Sequence, residues 1–414
     1  MLDNKKIASF IANKRKTKGL TQQQVADALQ VSFQAVSKWE NGTTYPTTEL
    51  LYALSRVLGT TTDEILNAQD AENTGLTYSK AGIDTSYTDS IKSEMAVYVN
   101  SANPRVLNSL GAFASLYDIK FDGIENPVLV LKSEEPGSKQ KLAMQYGYTE
   151  SICHDMINHL VNDIIVMGAT PLAVLDTIIC GSAEKDTIKS LIKGISEACR
   201  ANECDLVGGE TSIQPGVVDK GTYVLTANIA GIVDKNHIID GSKIQAGDKI
   251  LVLASNGLHT NGYSLVRLLM DKMPQIKLAK IGNETFLEAI MKPHTPYYKA
   301  VKPLFKSSAL HGMAHITGGG IEGNLSRIMP PALSAQIDLA KISVPPIFNY
   351  IKEAGSISEK EMLKTFNCGV GFILVVAPHA EADIIKTVSP FCNCYTIGEI
   401  VTDTPAVTFI NQLQ

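Results

Sequence analysis

Charge of either sign is scarce in this chain, at 19% of 414 residues, and nearly balanced: 37 basic against 42 acidic side chains give a formal net charge of −5. That excludes a protein devoted along its whole length to coating nucleic acid, although one small DNA-binding module is compatible with it. Cysteine is equally sparse. The seven cysteines (Cys153, Cys180, Cys199, Cys204, Cys368, Cys392 and Cys394) form an odd set without a C-x-x-C pair, so neither a disulfide frame nor a cysteine-built zinc site is expected. No uninterrupted apolar run approaches the ~18 residues of a membrane span, and Met1 is not followed by a charged-then-apolar secretion pattern. A cytoplasmic protein with reduced thiols and no membrane partner is the expectation.

What is present is ample material for cores. Apolar residues make up 44% of the chain, and the length suits two or three domains of about 100–200 residues each. The segment from Ile152 to Ile165 repeats apolar residues at helical spacing (Ile157, Leu160, Val161, Ile164, Ile165), so one side faces a core. Asp155, His159 and Asn162 follow at i, i+4 and i+7 with Asp163 beside them, which gathers two carboxylates and an amide on roughly one face. Hard oxygen donors so placed suit magnesium holding a polyphosphate; the plain alternative is the solvated side of an amphipathic helix.

Near the start, Ile7 to Lys18 reads as a helix stopped at Gly19. Thr21 then caps Gln22–Leu29, and Ser32 caps Phe33–Glu40, which Asn41-Gly42 ends. Two short helices across the Gln30-Val31 link have helix-turn-helix geometry, the second being the reader. The strings Leu20-Thr-Gln-Gln-Gln-Val-Ala26 and Val36-Ser-Lys-Trp-Glu-Asn-Gly42, with Pro46 after them, resemble the lambda-repressor/Cro-like family over roughly residues 5–67. The resemblance implies double-stranded DNA as partner, with Gln22, Gln23, Gln34 and Lys38 contacting it. Glutamine pairs bidentately with adenine and lysine supplies a salt-sensitive phosphate contact. Val36 and Trp39 read as core. With eight basic and six acidic side chains, residues 1–67 are the basic end of the chain. Ala68–Thr77, polar and aperiodic, reads as a linker (68–77).

Beyond it, strand-like runs (Val128–Leu131, Thr222–Val233, Lys249–Ala254, Gly371–Val376) alternate with helical patterns such as Asp186–Ala201 and Tyr263–Lys272, the mark of an α/β body with ligands at loop ends. A division near Asp234 gives subdomains at 78–234 and 235–414. Glycine collects where strands meet helices: Val207-Gly-Gly-Glu-Thr211, Ser255–Ser264, His315–Asn324 and Asn367-Cys-Gly-Val-Gly371. Glycine lets backbone approach a ligand, and N–H groups at a helix start attract phosphate. With Glu210, these loops point to a nucleotide or sugar-phosphate site.

From about Thr77 to Val401 the chain resembles the aminoimidazole ribonucleotide synthetase (phosphoribosylformylglycinamidine cyclo-ligase) family. The strings that carry this are Ala81-Gly-Ile-Asp84, Val161-Asn-Asp163 with Gly168-Ala-Thr-Pro171, Leu206-Val-Gly-Gly-Glu-Thr211, Ile239-Asp-Gly-Ser-Lys243, His259-Thr-Asn-Gly-Tyr-Ser-Leu-Val-Arg267, His315-Ile-Thr-Gly-Gly-Gly320 and Thr365-Phe-Asn-Cys-Gly-Val-Gly371. The resemblance implies a two-subdomain α/β (α+β) body behind an all-α helix-turn-helix domain. It also implies a homodimer with a shared sheet-lined core and ATP near the subunit junction. The implied reaction uses ATP to activate the formyl oxygen of formylglycinamidine ribonucleotide; an amidine nitrogen then closes the imidazole ring and phosphate leaves. By the same resemblance Asp155 and Asp163 hold magnesium, Asn162 and Glu210 orient ligands, and Asn261, Gly262, Gly318, Gly319 and Gly320 cradle phosphate. Glu134, Gly137, Ser138, Lys139, Gly208 and Gly209 complete the nucleotide contacts, while Lys139, Asp163, His259 and His315 are the catalytic candidates.

Three loops depart from the family pattern. Glu134-Glu-Pro-Gly-Ser-Lys139 stands where the family has Asp-Gly-Val-Gly-Thr-Lys, so Glu135 is expected to crowd a backbone that approaches phosphate. Ile213 replaces an acid after Gly208-Gly-Glu-Thr, and Ala112 and Ala114 replace glycines. Two readings follow: a cyclo-ligase-type enzyme carrying a DNA-binding module, or a transcription regulator whose enzyme-derived body senses a purine-pathway nucleotide without turnover. Selenophosphate or thiamine-phosphate chemistry is the outlying third. In each, a dimer would pair two reading helices on a palindromic DNA site.

Overall fold

Side-chain caps set out the first helices as the sequence expects. A computed structural model of the chain describes residues 4–69, 81, 85–99, 102–108, 112–404 and 406–414. Residues 70–77 of the expected linker, residues 82–84 of the first family string and Gly111 lie outside these. The chain divides into two compact units, Met1–Lys80 and Ala81–Gln414.

In the first unit α1 (Asn4–Thr17), α2 (Gln22–Leu29), α3 (Phe33–Glu40), α4 (Thr48–Leu58) and α5 (Thr62–Asn67) surround one core of Ile7, Ile11, Val25, Val36, Trp39, Leu54 and Ile65. Thr21 Oγ1 accepts from Gln24 N at 3.2 Å while Gln24 Oε1 accepts from Thr21 N at 2.8 Å, a reciprocal box that satisfies two free donors of α2. Helix α1 begins three residues before Ile7. Apolar spacing marks where a helix becomes buried, not where it starts.

The second unit carries two sheets. In the first, β1 (Pro127–Glu134), β2 (Thr170–Cys180), β3 (Asp205–Ile213) and β4 (Tyr223–Asp234) stand in the order β1-β4-β2-β3, with only the β2–β3 pair parallel. One face is covered by α6 (Thr85–Val99), α8 (Thr149–Ile165) and α9 (Lys185–Ala201), with α7 (Lys139–Tyr146) packed against α8. On the opposite face Leu129, Leu131, Leu175 and Val224 remain exposed.

The second sheet comprises β5 (Lys249–Ala254), β8 (Leu310–His315), β9 (Leu333–Asp338), β10 (Val370–Val376), β11 (Cys394–Thr402) and β12 (Val407–Ile410), in the order β12-β9-β11-β5-β10-β8. A small hairpin, β6 (Lys280–Ile281) with β7 (Glu284–Thr285), follows α10 (Tyr263–Lys272). Strand β10 is buried along its whole length because its alternate side chains enter two cores. Phe372, Leu374 and Val376 join the core shared with the helices, and Ile373 and Val375 a second one. All seven cysteines are free thiols, and six are buried. No helix among the described residues is long and apolar enough to cross a membrane.

Candidate functional site

Helix α8 forms from its apolar spacing, yet the polar side that suggested a solvated face is buried as well: Asp155, Asn158, His159 and Asn162 all lie inside. What covers them is the backbone of residues 292–297. Asn158 Nδ2 donates to the His294 carbonyl at 2.6 Å and Asn162 Nδ2 to the Thr295 carbonyl at 2.8 Å. In return His294 N donates to Asp155 Oδ1 at 2.8 Å and Tyr297 N to Asn162 Oδ1 at 3.0 Å. The side chains thus satisfy an irregular segment that would otherwise bury bare peptide groups. Asn162 uses both ends of its amide in this way.

Asp155 and Lys139 are placed against each other. Lys139 Nζ, fully buried, lies 2.7 Å from Asp155 Oδ2 and donates to Asp155 Oδ1 at 2.8 Å and to the carbonyls of His259 at 3.1 Å and Lys292 at 2.7 Å. Burial pushes the Lys139 ammonium down and the Asp155 carboxyl up to about 6, while each holds the other's charge. This buried ion pair pins α7 and α8 to the segments that carry His259 and Lys292.

Asp163, one turn beyond, has a different setting. Its Oδ2 lies 3.0 Å from Lys132 Nζ, which is also 3.0 Å from Glu134 Oε2. Its Oδ1 accepts from His315 Nδ1 at 2.7 Å. Burial would raise this carboxyl, but the His315 hydrogen bond and the charges of His315, His159 and Lys132 hold it below the usual carboxylate range. Lys132 was not legible as a site residue. On a β-strand it reads as one more alternating polar position, and only the fold sets it between two acids.

Thr260 continues this patch, its Oγ1 lying 3.0 Å from His159 Nδ1. Next to it Ser138, Asn261 and Gly262 line a cleft of about 350 Å³ with Glu361 and Thr365. Gly262, at φ 79°, begins α10, so the helix presents its free N–H groups there. Asn261 Nδ2 is buried without a partner, and Gly318 lies beside Asn261 Oδ1. Gly137, Ser138, Asn261, Gly262 and Gly318 are therefore brought to one region. Gly320 is instead packed against the carbonyls of Leu363 and Phe366, where a side chain would collide, and Gly319 turns the chain at φ 92° into the helix Gly320–Leu325.

His259 and His315 do not face that cleft. His315 spends Nδ1 on Asp163 and sets Nε2 2.9 Å from His294 Nε2, and His259 is buried with Nε2 3.2 Å from Thr295 Oγ1. As placed, neither ring lines that cleft. His294 escaped sequence reasoning because Pro293 and Pro296 mark its surroundings as a plain loop.

Glu210 is exposed on β3, next to Gly209. A Cβ at Gly209 would strike the Asp176 carboxylate on the helix-covered face, so the pleat sends Glu210 to the opposite face. A Gly208 Cβ would likewise approach Leu175 on that open face. Asp163, on a covering helix, and Glu210 thus lie on opposite sides of the first sheet, and the single cleft expected for them does not form within one chain. The departures from the family pattern turn out milder than expected. Glu135 is exposed and accepts from Gln140 Nε2 at 3.4 Å, Ile213 is a core residue, and Ala112 and Ala114 lie on the surface.

In the first unit Arg15 Nε pairs with Glu40 Oε1 at 2.5 Å, and Gln22 Nε2 donates to Glu40 Oε2 at 2.7 Å. Gln23 Nε2 donates to Asp27 Oδ1 at 2.7 Å. Gln34 and Lys38 are exposed on α3, and so is Phe33 at its first turn, an apolar contact that helical periodicity alone did not single out. Gln22, Gln23, Phe33 and Ser37 line one shallow hollow with Arg15.

Comparison with known proteins bears on both units. Models described as AIR synthase related protein, N-terminal domain and C-terminal domain, match residues 126–233 and 245–410, and a helix-turn-helix model matches 11–65. The phosphoribosylformylglycinamidine cyclo-ligase of Methylobacillus flagellatus is 38% identical over 311 residues, 74% of this chain and 89% of the relative. That of Bacillus mycoides is 38% identical over 338 residues, 80% of this chain and 97% of the relative. Among solved structures, thiamine-monophosphate kinase from Stenotrophomonas maltophilia superposes with a TM-score of 0.56 at 16% identity, covering 80% of this chain and 98% of that one. E. coli HypE superposes with a TM-score of 0.56 at 17% identity, covering 78% and 94%. At such identities the structural likeness concerns the fold. The sequence relatives carry the assignment: beyond its helix-turn-helix unit, the chain belongs to the AIR synthase (phosphoribosylformylglycinamidine cyclo-ligase) family.

Proposed function

We propose that the second unit is an ATP-dependent cyclo-ligase acting on formylglycinamidine ribonucleotide or a close analogue, and that the first unit ties it to double-stranded DNA. The observation that carries this is Asn261 Nδ2, a buried donor left unpartnered at the start of α10 beside Ser138 and Gly262. A buried amide without an acceptor is unfavourable by about 1–3 kcal/mol, and a phosphate oxygen relieves it.

The magnesium pair is reassigned. Glu134 and Asp163 offer hard oxygens to one shared cation position, held by the Lys132 ammonium, and they fit a divalent ion arriving with the nucleotide. Bound magnesium would neutralise phosphate charge. Ser138, Asn261, Gly262 and Gly318 would position the phosphates, and positioning with charge neutralisation is most of what phosphoryl transfer requires. The formyl oxygen takes the γ-phosphoryl group, releasing ADP; the amidine nitrogen then attacks the activated carbon, and phosphate leaves. Glu210, on the open face with exposed Leu129, Leu131 and Leu175, would be covered by a second copy of the chain, which supports a homodimer.

The helix-turn-helix unit favours a second reading, a transcription regulator that senses a purine-pathway nucleotide without turning it over. One experiment separates them. With formylglycinamidine ribonucleotide, ATP and magnesium, the enzyme reading expects aminoimidazole ribonucleotide, ADP and phosphate in equal amounts. Saturable nucleotide binding without any of these products would overturn it in favour of the sensor.

A further inference from the structure

The nucleotide reading leaves unused a buried cluster in which His159, His259, His294 and His315 meet. They come from four places in the chain: α8, the loop after β5, the 292–297 segment and the end of β8. Ring centroids are 3.9 Å apart for His259 and His294, 5.0 Å for His294 and His315, and 5.2 Å for His159 and His315. One ring nitrogen from each of His259, His294 and His315 lies within 4.8 Å of the other two. All three side chains are buried.

The hydrogen bonds fix which nitrogens carry lone pairs. Asp163 Oδ1, acceptor only, makes His315 Nδ1 the N–H donor at 2.7 Å, so the neutral ring keeps its Nε2 lone pair. That lone pair faces His294 Nε2 at 2.9 Å, so without a metal one proton must be shared between two nitrogens. His259 Nδ1 is buried with no partner. A carboxylate holding the far nitrogen of an imidazole whose near nitrogen faces other imidazole nitrogens is an arrangement that orients histidine toward a metal.

We infer that His259, His294 and His315 form a binding site for a borderline divalent transition-metal ion such as zinc or cobalt, with Asp163 orienting His315. Three neutral imidazoles suit such ions, whereas magnesium prefers oxygen. On binding, the metal takes the Nε2 lone pairs of His315 and His294, and the proton shared between them moves to the far nitrogen of His294 with none lost to solvent. His294 then carries its proton on Nδ1, 3.5 Å from Thr260 Oγ1. The ion would tie together the loop after β5, the 292–297 segment and the end of β8. This site does not rest on the nucleotide reading.

The test is titration of untagged, chelator-treated full-length protein with Co²⁺ alone, then displacement by Zn²⁺. The expected result is one equivalent of cobalt with the strong visible absorption of low-coordinate nitrogen ligation, no net proton release at neutral pH, and a higher Tm. Losing a group one step behind a metal weakens binding by about 10–100-fold, so His294→Asn, which removes a ligand, should weaken it by at least that much. His379→Ala, at an exposed histidine, should leave it unchanged. Wild-type protein that develops no absorption beyond that of aqueous cobalt overturns the site whether or not any variant folds. So does cobalt affinity in folded His294→Asn equal to wild type.

Discussion

Asp176 shows at the scale of one residue what the second unit gives up for its shape. It is buried under the helices, its Oδ2 has no partner, and burial with Glu210 nearby raises its carboxyl from 3.8 to about 7. A folded-state value above the unfolded one means stability present in full below about pH 4 and lost as pH rises through 7. Asp176→Asn, which cannot ionise, should therefore gain Tm relative to wild type between about pH 5 and pH 8. Melting curves at the two pH values check this, and an equal difference at both would contradict it. The residues of α8 carry a related lesson about legibility. Spacing alone gathered Asp155, His159 and Asn162 on one face, and the structure keeps them there. Asp155 and Asn162 hold backbone more than 130 positions away, and His159 meets the Thr260 hydroxyl. Periodicity along one helix holds no information about a loop so distant, so a structural latch read as a ligand face.

At the scale of elements the sequence was most informative where signals are local. Thr21 and Ser32 cap the helices expected of them, and β5 and α10 have the bounds their patterns indicate. Strand β3 was harder, because Gly208-Gly209 reads as a loop and lies within the strand, beside the Asp176 carboxylate. Phosphate contacts should be local too. Lys38 is exposed on α3, so Lys38→Ala should weaken binding to specific and nonspecific duplexes alike and reduce the salt slope of log K by about 1. Fluorescence anisotropy across a salt series measures it. A slope equal to wild type would take Lys38 off the phosphate backbone.

At the scale of the molecule, the proposed homodimer would account for the unfinished face of the first sheet. Leu129, Leu131, Leu175 and Val224 point outward, and Leu131 is 71% exposed, which is more apolar surface than a lone sheet needs to leave uncovered. Leu131→Glu should convert a dimer to a monomer in sedimentation velocity while the helical signal persists; a wild-type protein already monomeric would remove the proposed interface. The larger claim is a division of labour. In the proposed function Asp155, Lys139 and Asn162 maintain the architecture, while Asn261, Asp163 and Glu134 would receive the nucleotide. The most direct measurement compares Asn261→Ala with Asp155→Asn for ATP-dependent phosphate release and for Tm. Asn261→Ala should lose about 100-fold or more in kcat/KM, near 3 kcal/mol of transition-state stabilisation, with Tm almost unchanged. Asp155→Asn should lower Tm sharply by leaving the Lys139 ammonium buried and unpaired. A stable Asp155→Asn protein without activity, beside a fully active Asn261→Ala protein, would contradict that division.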